Sequence, residues 1–204
     1  MTKVPYVTFM KHAQKVTKTA SKSRPILGVV IHREDYVAVT DSHRLYLATD
    51  VYNGEDEKQV DPISGLEVDN GNYPDVTRLI QEPEDAKYSY SIDVLHAFEA
   101  VKAIEIAGKV NKATSDMNIV TGDEYLKFKT DDKAAFNVSY DVELSPSIVN
   151  LETSILDIKY VKEALHVLKD AKIERFSLEY FGKHRPIQVR AGNFVAKILP
   201  KRQI

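Results

Sequence analysis

The chain has 204 residues, 43% of them hydrophobic and 28% charged, which is the composition of a soluble globular protein with one large or two small domains. The absence of cysteine excludes a disulfide framework or a thiolate zinc site and is typical of a cytoplasmic protein. No apolar run approaches the roughly 20 residues of a membrane helix, and the N-terminus lacks the apolar core of a secretion signal, so no membrane partner is expected.

The first part of the chain, 1–83, is predicted to form an abbreviated domain. Apolar residues at helical spacing predict a helix over 7–20. Apolar, β-branched runs then predict three strands, at 26–32, 36–40 and 44–50. The stretch 53–72 is rich in Gly, Pro, Asp and Asn, which indicates a loop or a set of short edge pieces, and 72–85 is interpreted as a linker.

The remainder of the chain, 84–204, is predicted to form a complete second domain. Apolar faces predict two helices, one from Val94 to near Gly108 and one capped by Asp157. The predicted strands are 87–92, 117–122, 125–130, 134–144, 175–181, 186–192 and 194–200. The order of one strand, one helix and three strands occurs twice, which indicates a duplicated βαβββ unit.

Lysines form a stripe on two of the predicted helices, although the formal net charge of the chain is only −2. The stripe of the first helix consists of Lys11, Lys15, Lys18 and Lys22. The stripe of the last helix consists of Lys159, Lys162, His166 and Lys169. The middle helix adds Lys102, diluted by Glu99 and Glu105. Each set lies on one side of its helix, either as a solvated face or as a surface that binds DNA phosphates without reading sequence.

A polar block, Thr40 to Arg44, interrupts two apolar strands and is predicted to be a turn between them. Side chains adjacent in a strand point to opposite faces, so Asp41, Ser42 and His43 are not expected to form a catalytic relay. The six histidines show no metal-ligand spacing, and there is no glycine-rich phosphate loop. We therefore expect no enzymatic activity, no metal and no cofactor.

Three segments resemble the bacterial sliding clamp, the beta subunit of the replicative DNA polymerase. They are "SRPILGVVIHREDYVAVTDSHRLYLATD", "NYPDVTRLI" and "VAKILPKRQI", and they occur in the order found in that family. The resemblance implies an α+β DNA-clamp fold built from repeated βαβββ units, with helices on one face and antiparallel sheets outside. The chain resembles the last two clamp domains in shortened form, because 51–71 stands where a second helix and its strands are expected in the first of them.

The resemblance also implies a hydrophobic pocket for a short linear peptide, formed by the three segments together. Its residues in this chain are Thr40, Ser42, His43, Arg44, Leu45, Pro74, Arg78, Leu79, Ile198, Leu199, Pro200, Lys201 and Arg202. The leucines and Ile198 would supply apolar walls, and His43 and Arg44 would donate hydrogen bonds to the peptide. A solvated polar turn is the alternative interpretation of the first segment. Lys197 and Lys201 are more polar than the family usually has beside this pocket.

The implied function is that of a sliding-clamp-like processivity factor, of cellular, phage or mobile-element origin, that surrounds duplex DNA and tethers DNA polymerase. Its DNA-facing residues are Lys11, Lys15, Lys18, Lys22, Lys102, Lys159, Lys162, His166 and Lys169. The implied partners are duplex DNA, polymerase and other proteins that carry clamp-binding peptides, a clamp loader, and further copies in a dimeric or trimeric ring. The shortened first domain leaves open an alternative, a non-encircling interaction protein that mimics a clamp or regulates a host replisome.

Overall fold

The computed structural model describes residues 2–20, 24–54, 56–144 and 150–202. The α-helices in these ranges are α1 (Tyr6–Ala20), α2 (Val94–Lys109) and α3 (Ile158–Asp170). The strands are β1 (Val30–Arg33), β2 (Tyr36–Thr40), β3 (Arg44–Thr49), β4 (Lys58–Val60), β5 (Tyr88–Asp93), β6 (Asp116–Gly122), β7 (Tyr125–Thr130), β8 (Ser139–Leu144), β9 (Glu152–Asp157), β10 (Arg175–Tyr180), β11 (Ile187–Ala191) and β12 (Phe194–Ile198). No helix within the described ranges is long and apolar enough to cross a membrane.

The strands form two antiparallel sheets. The larger sheet has the order β4-β1-β2-β3-β12-β11-β10-β5, and the smaller has the order β8-β7-β6-β9. In the pairing of β3 with β12, Arg44 lies opposite Ile198 and Ala48 lies opposite Phe194. The first 83 residues therefore share one continuous sheet with the end of the chain, and the predicted domain boundary between 83 and 84 stays a prediction.

The helices pack together on the sheets, with α3 in contact with both α1 and α2. Each helix buries one apolar stripe, such as Phe9, Ala13 and Val16 in α1, at the spacing of a core-facing helix. Asp157 caps α3 by accepting a hydrogen bond of 2.9 Å from the backbone N–H of Lys159. Helices on antiparallel sheets confirm the expected α+β class, and β5–α2–β6–β7–β8 followed by β9–α3–β10–β11–β12 is the duplicated βαβββ unit.

Three strands differ most from what the sequence predicts. The one predicted at 26–32 begins only at Val30, because a 3₁₀ turn at Pro25–Leu27 comes first and the Gly28 N–H donates to the carbonyl of Pro25. The one predicted at 134–144 is limited to β8. The strand before α3, which the duplicated unit requires, is β9, to which the sequence pattern had assigned no range. The predicted linker holds two 3₁₀ turns, Thr77–Leu79 and Pro83–Asp85.

The stretch predicted to be a loop or short edge pieces contains β4, which forms one end of the larger sheet. The outer edge of β4 is covered by its own chain, since the Val68 N–H donates to the Gln59 carbonyl at 2.8 Å and Val60 bridges Glu67. No α-helix is present in the described residues between β3 and β5. The first part of the chain therefore contributes α1 and four strands of the larger sheet.

Candidate functional site

A cleft of about 270 Å³, here called the slot, opens beside the turn between β2 and β3. The slot is lined by Thr40, Ser42, His43, Arg44, Leu45, Leu79, Pro186, Lys197 and Leu199. Seven of these nine residues are pocket residues predicted from the sequence, and they come from three segments far apart in the chain. Leu79 and Leu199 keep 48% and 42% of their surface exposed, so the slot presents apolar side chains to solvent. The structure thus brings together residues of all three predicted segments.

The polar block forms a tight turn that is held by the side chain of Asp41. One Asp41 carboxylate oxygen accepts hydrogen bonds of 3.0 Å from the backbone N–H groups of both His43 and Arg44. Ser42 has a positive φ of 76°, which the turn requires and which costs little for one polar residue in a loop. The Thr40 hydroxyl donates to the Arg44 carbonyl at 2.7 Å. The predicted turn is therefore present, and it fixes His43 at the mouth of the slot.

Arg44 is buried beneath this turn and does not have the role that the sequence suggested. Its side chain has no exposed surface, and its Nε donates to Asp41 at 3.1 Å. Its Nη1 donates to Glu163 of α3, and its guanidinium lies 4.7 Å from the ring centroid of Tyr160. The expectation that Arg44 donates to a bound peptide is therefore corrected, because these donors already join the β2–β3 turn to α3.

A second cleft of about 780 Å³, here called the trough, adjoins the slot. It is lined by Arg24, Asp41, Ser42, His43, Asp157, Tyr160, Leu199, Pro200, Lys201 and Arg202. Three of these residues, Ser42, His43 and Leu199, also line the slot, so the two clefts lie side by side. The rings of His43 and Tyr160 stack with centroids 6.2 Å apart, which makes one wall of the trough aromatic.

The C-terminal tail separates the clefts and is held by backbone hydrogen bonds at both ends. The Leu199 N–H donates to the His43 carbonyl at 2.9 Å, and the Lys201 N–H donates to the Ile155 carbonyl of β9 at 2.8 Å. The Lys201 ammonium lies 3.2 Å from Asp157 and also contacts Asp116. The tail is therefore fixed between the β2–β3 turn and β9, and it places Pro200, Lys201 and Arg202 in the trough.

Three predicted pocket residues line neither cleft. Pro74 is exposed, and Arg78, with 84% of its side chain exposed, forms an ion pair of 3.0 Å with Asp75. Ile198 is fully buried in the core, because alternate side chains of β12 point to opposite faces of the sheet. Pro74, Arg78 and Ile198 therefore lie outside both clefts, contrary to their predicted place in the pocket.

The structure adds residues that the sequence did not assign to the site. Pro186 and Lys197 line the slot, and Arg24, Asp157 and Tyr160 line the trough. Lys197 lies opposite Leu45 in the β3–β12 register, and its ammonium donates to the carbonyl of Leu79. That register joins residues about 150 positions apart, so no local sequence pattern could have revealed it.

Four of the eight lysines predicted to face DNA make ion pairs with acidic residues of the helices. Lys11 lies 2.8 Å from Asp170, Lys162 lies 2.6 Å from Glu105, and Glu99 pairs with both Lys102 at 2.7 Å and Lys169 at 3.3 Å. In the described part of the chain, Lys15 and Lys159 make no such pair. Lys18 is exposed, and Lys22 lies outside the described residues. The helix face is therefore less positive than its lysines alone suggested.

Two histidines meet where α1 packs on α3. His12 has 1% of its side chain exposed, and its Nε2 lies 2.9 Å from Asp170, which is also 3.4 Å from His166. The rings of His12 and His166 are 5.0 Å apart. Burial lowers the pKa of His12, with Lys15 and His166 acting in the same direction and Asp170 opposing them. Burial also lowers the pKa of His166, with the nearby Lys15, Lys11 and Lys169 adding to it.

We expect this junction to make the fold less stable in mild acid. Because both histidines have a pKa below the usual 6.5 in the folded protein, the unfolded chain binds more protons below that value. The contribution of these two histidines to the free energy of unfolding should therefore be complete above about pH 6.5. It should fall as the pH drops towards about 5. Urea denaturation at a series of pH values measures this slope.

The variant His12→Gln retains a side-chain donor for Asp170 and should flatten that slope. The pKa of His32 in β1 is also lowered by burial, but His32 contributes equally to both proteins and cancels in the difference. The pKa of Asp170 is lowered to about 2, so its contribution to the free energy of unfolding is lost only below about pH 4. Asp170 therefore does not affect the slope between about pH 6.5 and about pH 5. Equal slopes for the two proteins would show that His12 does not titrate with folding.

Solved structures of bacterial DNA polymerase clamps are similar to this chain, which matches no protein-family model and no curated protein. The beta subunit of DNA polymerase from Streptococcus pyogenes has a TM-score of 0.74 at 16% identity, over 97% of this chain and 64% of that chain. The sliding clamp of Bacillus subtilis has a TM-score of 0.72 at 19% identity, over 97% and 63%. The Helicobacter pylori beta clamp bound to a DNA ligase peptide has a TM-score of 0.71 at 15% identity, over 97% and 63%.

These similarities show that the chain has the fold of a bacterial sliding clamp, and they confirm the expected resemblance. The chain spans about 64% of the length of the Streptococcus pyogenes clamp.

Proposed function

We propose that this protein is a sliding-clamp-like accessory factor of DNA replication that holds polymerase and other partner proteins by a short peptide bound in the slot and trough. One observation carries the proposal: residues of the β2–β3 turn, the linker and the C-terminal tail converge on a single apolar cleft. A peptide-binding cleft needs apolar walls for anchor side chains and a few fixed polar groups for orientation. Here Leu45, Leu79 and Leu199 are the walls, and His43 is the polar group at the mouth.

The similarity to solved clamps supports this proposal, although it does not identify the partner proteins of this chain. One structural neighbour, the clamp of Helicobacter pylori, has been solved with a DNA ligase peptide bound. The function proposed for this chain is accessory, without catalysis.

Calorimetric titration with a Gln-x-x-Leu-Phe-like peptide tests the proposed function. We expect one peptide per chain and micromolar affinity, since a short extended peptide loses conformational entropy on binding and contacts a small cleft. A scrambled peptide of the same composition is the control. Equal heats for the two peptides would contradict a specific peptide site.

The helix face is proposed to contact duplex DNA without reading its sequence. Lysines that neutralise phosphates release counterions, so binding should weaken steeply with salt. Lys15 and Lys159 are the informative positions, because both are exposed and neither is paired with a carboxylate in the described residues. Replacing both with Ala should reduce the slope of log K against log salt by about 1.8, since each phosphate contact contributes about 0.9.

The matched control for this prediction removes two lysines outside the helices. Lys133 and Lys183 are exposed, lie in turns between strands and carry the same total charge as Lys15 and Lys159. Their replacement with Ala should leave the slope nearly unchanged. If the two double variants have the same slope of log K against log salt, DNA binding depends on the net charge of the protein and not on the helix face.

The predicted ring, with two or three copies around DNA and a clamp loader to place it there, stays part of the proposal. A second candidate, the non-encircling interaction protein, is favoured by one observation, the covered outer edge of β4. An edge strand whose backbone groups are already paired cannot extend its sheet into a second subunit. Light scattering at several concentrations separates the two candidates, because a ring requires a mass of two or three chains and the non-encircling protein is a monomer at tens of micromolar.

A further inference from the structure

Three cations surround the slot and trough without a carboxylate partner in the described part of the chain. Lys197, on the wall of the slot, donates only to the carbonyl of Leu79. Arg24, on the wall of the trough, donates to the Ser42 hydroxyl at 3.1 Å. Arg202, which also lines the trough, is exposed and makes no ion pair with the described residues.

The two acids that line the trough do not neutralise these cations. Asp41 has no exposed side-chain surface, and its oxygens are used by Arg44 and by two backbone N–H groups. Asp157 caps α3 and lies 3.2 Å from the Lys201 ammonium. Both carboxylates are therefore occupied, and the positive charges of Arg24, Lys197 and Arg202 are available to a ligand.

We infer that the cleft selects acidic peptides, in which a carboxylate lies in the trough beside an apolar anchor in the slot. This inference rests on the proposed function and defines the chemistry of the peptide that the site takes. The slot and the trough share Ser42, His43 and Leu199, and an extended peptide advances about 3.3 Å per residue, so an acidic residue within a few positions of the anchor reaches the trough.

Charge complementarity favours a carboxylate over the isosteric amide in this environment. A guanidinium donates hydrogen bonds to both groups, but only the carboxylate adds the attraction between opposite charges. Burial lowers the pKa of Lys197, and a bound carboxylate would oppose that effect. Because Arg24 and Arg202 are partly solvated, the preference should be modest and should weaken as salt rises.

Three peptides that differ in one side chain test the inference by calorimetry. The first is Gln-x-x-Leu-Phe-like, the second has Glu in place of that Gln, and the third keeps Gln and has Glu two residues after Phe. The third peptide is included because the direction of the bound chain is not assumed. We expect one of the two acidic peptides to bind about three- to tenfold more tightly than the neutral one at low salt. This difference is small compared with the whole free energy of peptide binding.

A double variant and its matched control locate the effect. Arg24→Gln with Arg202→Gln should abolish the difference in affinity between the acidic and the neutral peptides, whatever its effect on the neutral peptide alone. The control, Lys172→Gln with Arg175→Gln, removes the same charge from exposed residues that line neither cleft and should keep the preference. Circular dichroism of each variant establishes that the fold is retained.

The outcomes separate this inference from the proposed function. An acidic preference that disappears in the double variant but not in the control supports the inference. If the neutral and acidic peptides bind with equal affinity, the selection for acid is wrong and the peptide site stands. If none of the peptides binds to the wild-type protein, both the inference and the proposed function are overturned.

Discussion

Replacement of Arg44 with Met is expected to destabilise the fold by about 3–5 kcal/mol, the usual cost of removing one partner from a buried ion pair. The Arg44 side chain is fully buried, as is that of Asp41, and Glu163 is only 13% exposed. Without Arg44, the carboxylate of Asp41 would remain in the interior with no cation. Urea denaturation measures the change as a lower midpoint with an unchanged dependence on denaturant.

The control for this prediction removes the acids together with the cation. In the triple variant Asp41→Asn, Arg44→Met and Glu163→Gln, no uncompensated charge stays buried, and the Asn carbonyl can still accept from the turn. Much of the lost stability should therefore return. A single Arg44→Met variant as stable as the wild type would mean that Arg44 does not join the β2–β3 turn to α3.

Replacement of Leu79 and Leu199 with Ala is expected to weaken peptide binding strongly. Each truncation removes apolar contact worth about 1–3 kcal/mol, which corresponds to roughly 5- to 150-fold in affinity. Since both leucines are largely exposed in the free protein, the fold should lose little stability. Calorimetric titration of each single variant with the Gln-x-x-Leu-Phe-like peptide measures the loss.

The matched controls are Leu66→Ala and Leu95→Ala. Both leucines are exposed, at 67% and 53%, and neither lines the slot or the trough. The same chemical change at these positions should leave peptide affinity unaltered. If Leu79→Ala and Leu199→Ala also bind peptide as the wild type does, the peptide site is elsewhere on the protein.

The order of helices and strands could be predicted from the sequence because each element carries its own local signal. The apolar stripe of α1 and the Asp157 cap of α3 depend only on neighbouring residues. The start of β1 was wrong by a few residues because Pro25 favours a 3₁₀ turn, although the apolar residues after it resemble a strand. The pairing of β3 with β12 depends on residues about 150 positions apart, which local patterns do not encode.

The candidate site was predictable in its segments but not in the direction of each side chain. A resemblance between segments identified the turn, the linker and the tail. It could not distinguish Ile198, which is in the core, from Leu199, which is in the slot, without the strand register. Arg44 looked like a ligand-binding cation because nothing in the sequence links it to Glu163, which lies 119 residues further along the chain.

A crystal structure of the protein with the Gln-x-x-Leu-Phe-like peptide tests the central claim most directly. We expect the apolar anchor of the peptide to lie in the slot, in contact with Leu45, Leu79 and Leu199, and the rest of the peptide to run past His43 into the trough. A peptide bound at another surface, with the slot filled only by solvent at saturating peptide, would contradict it.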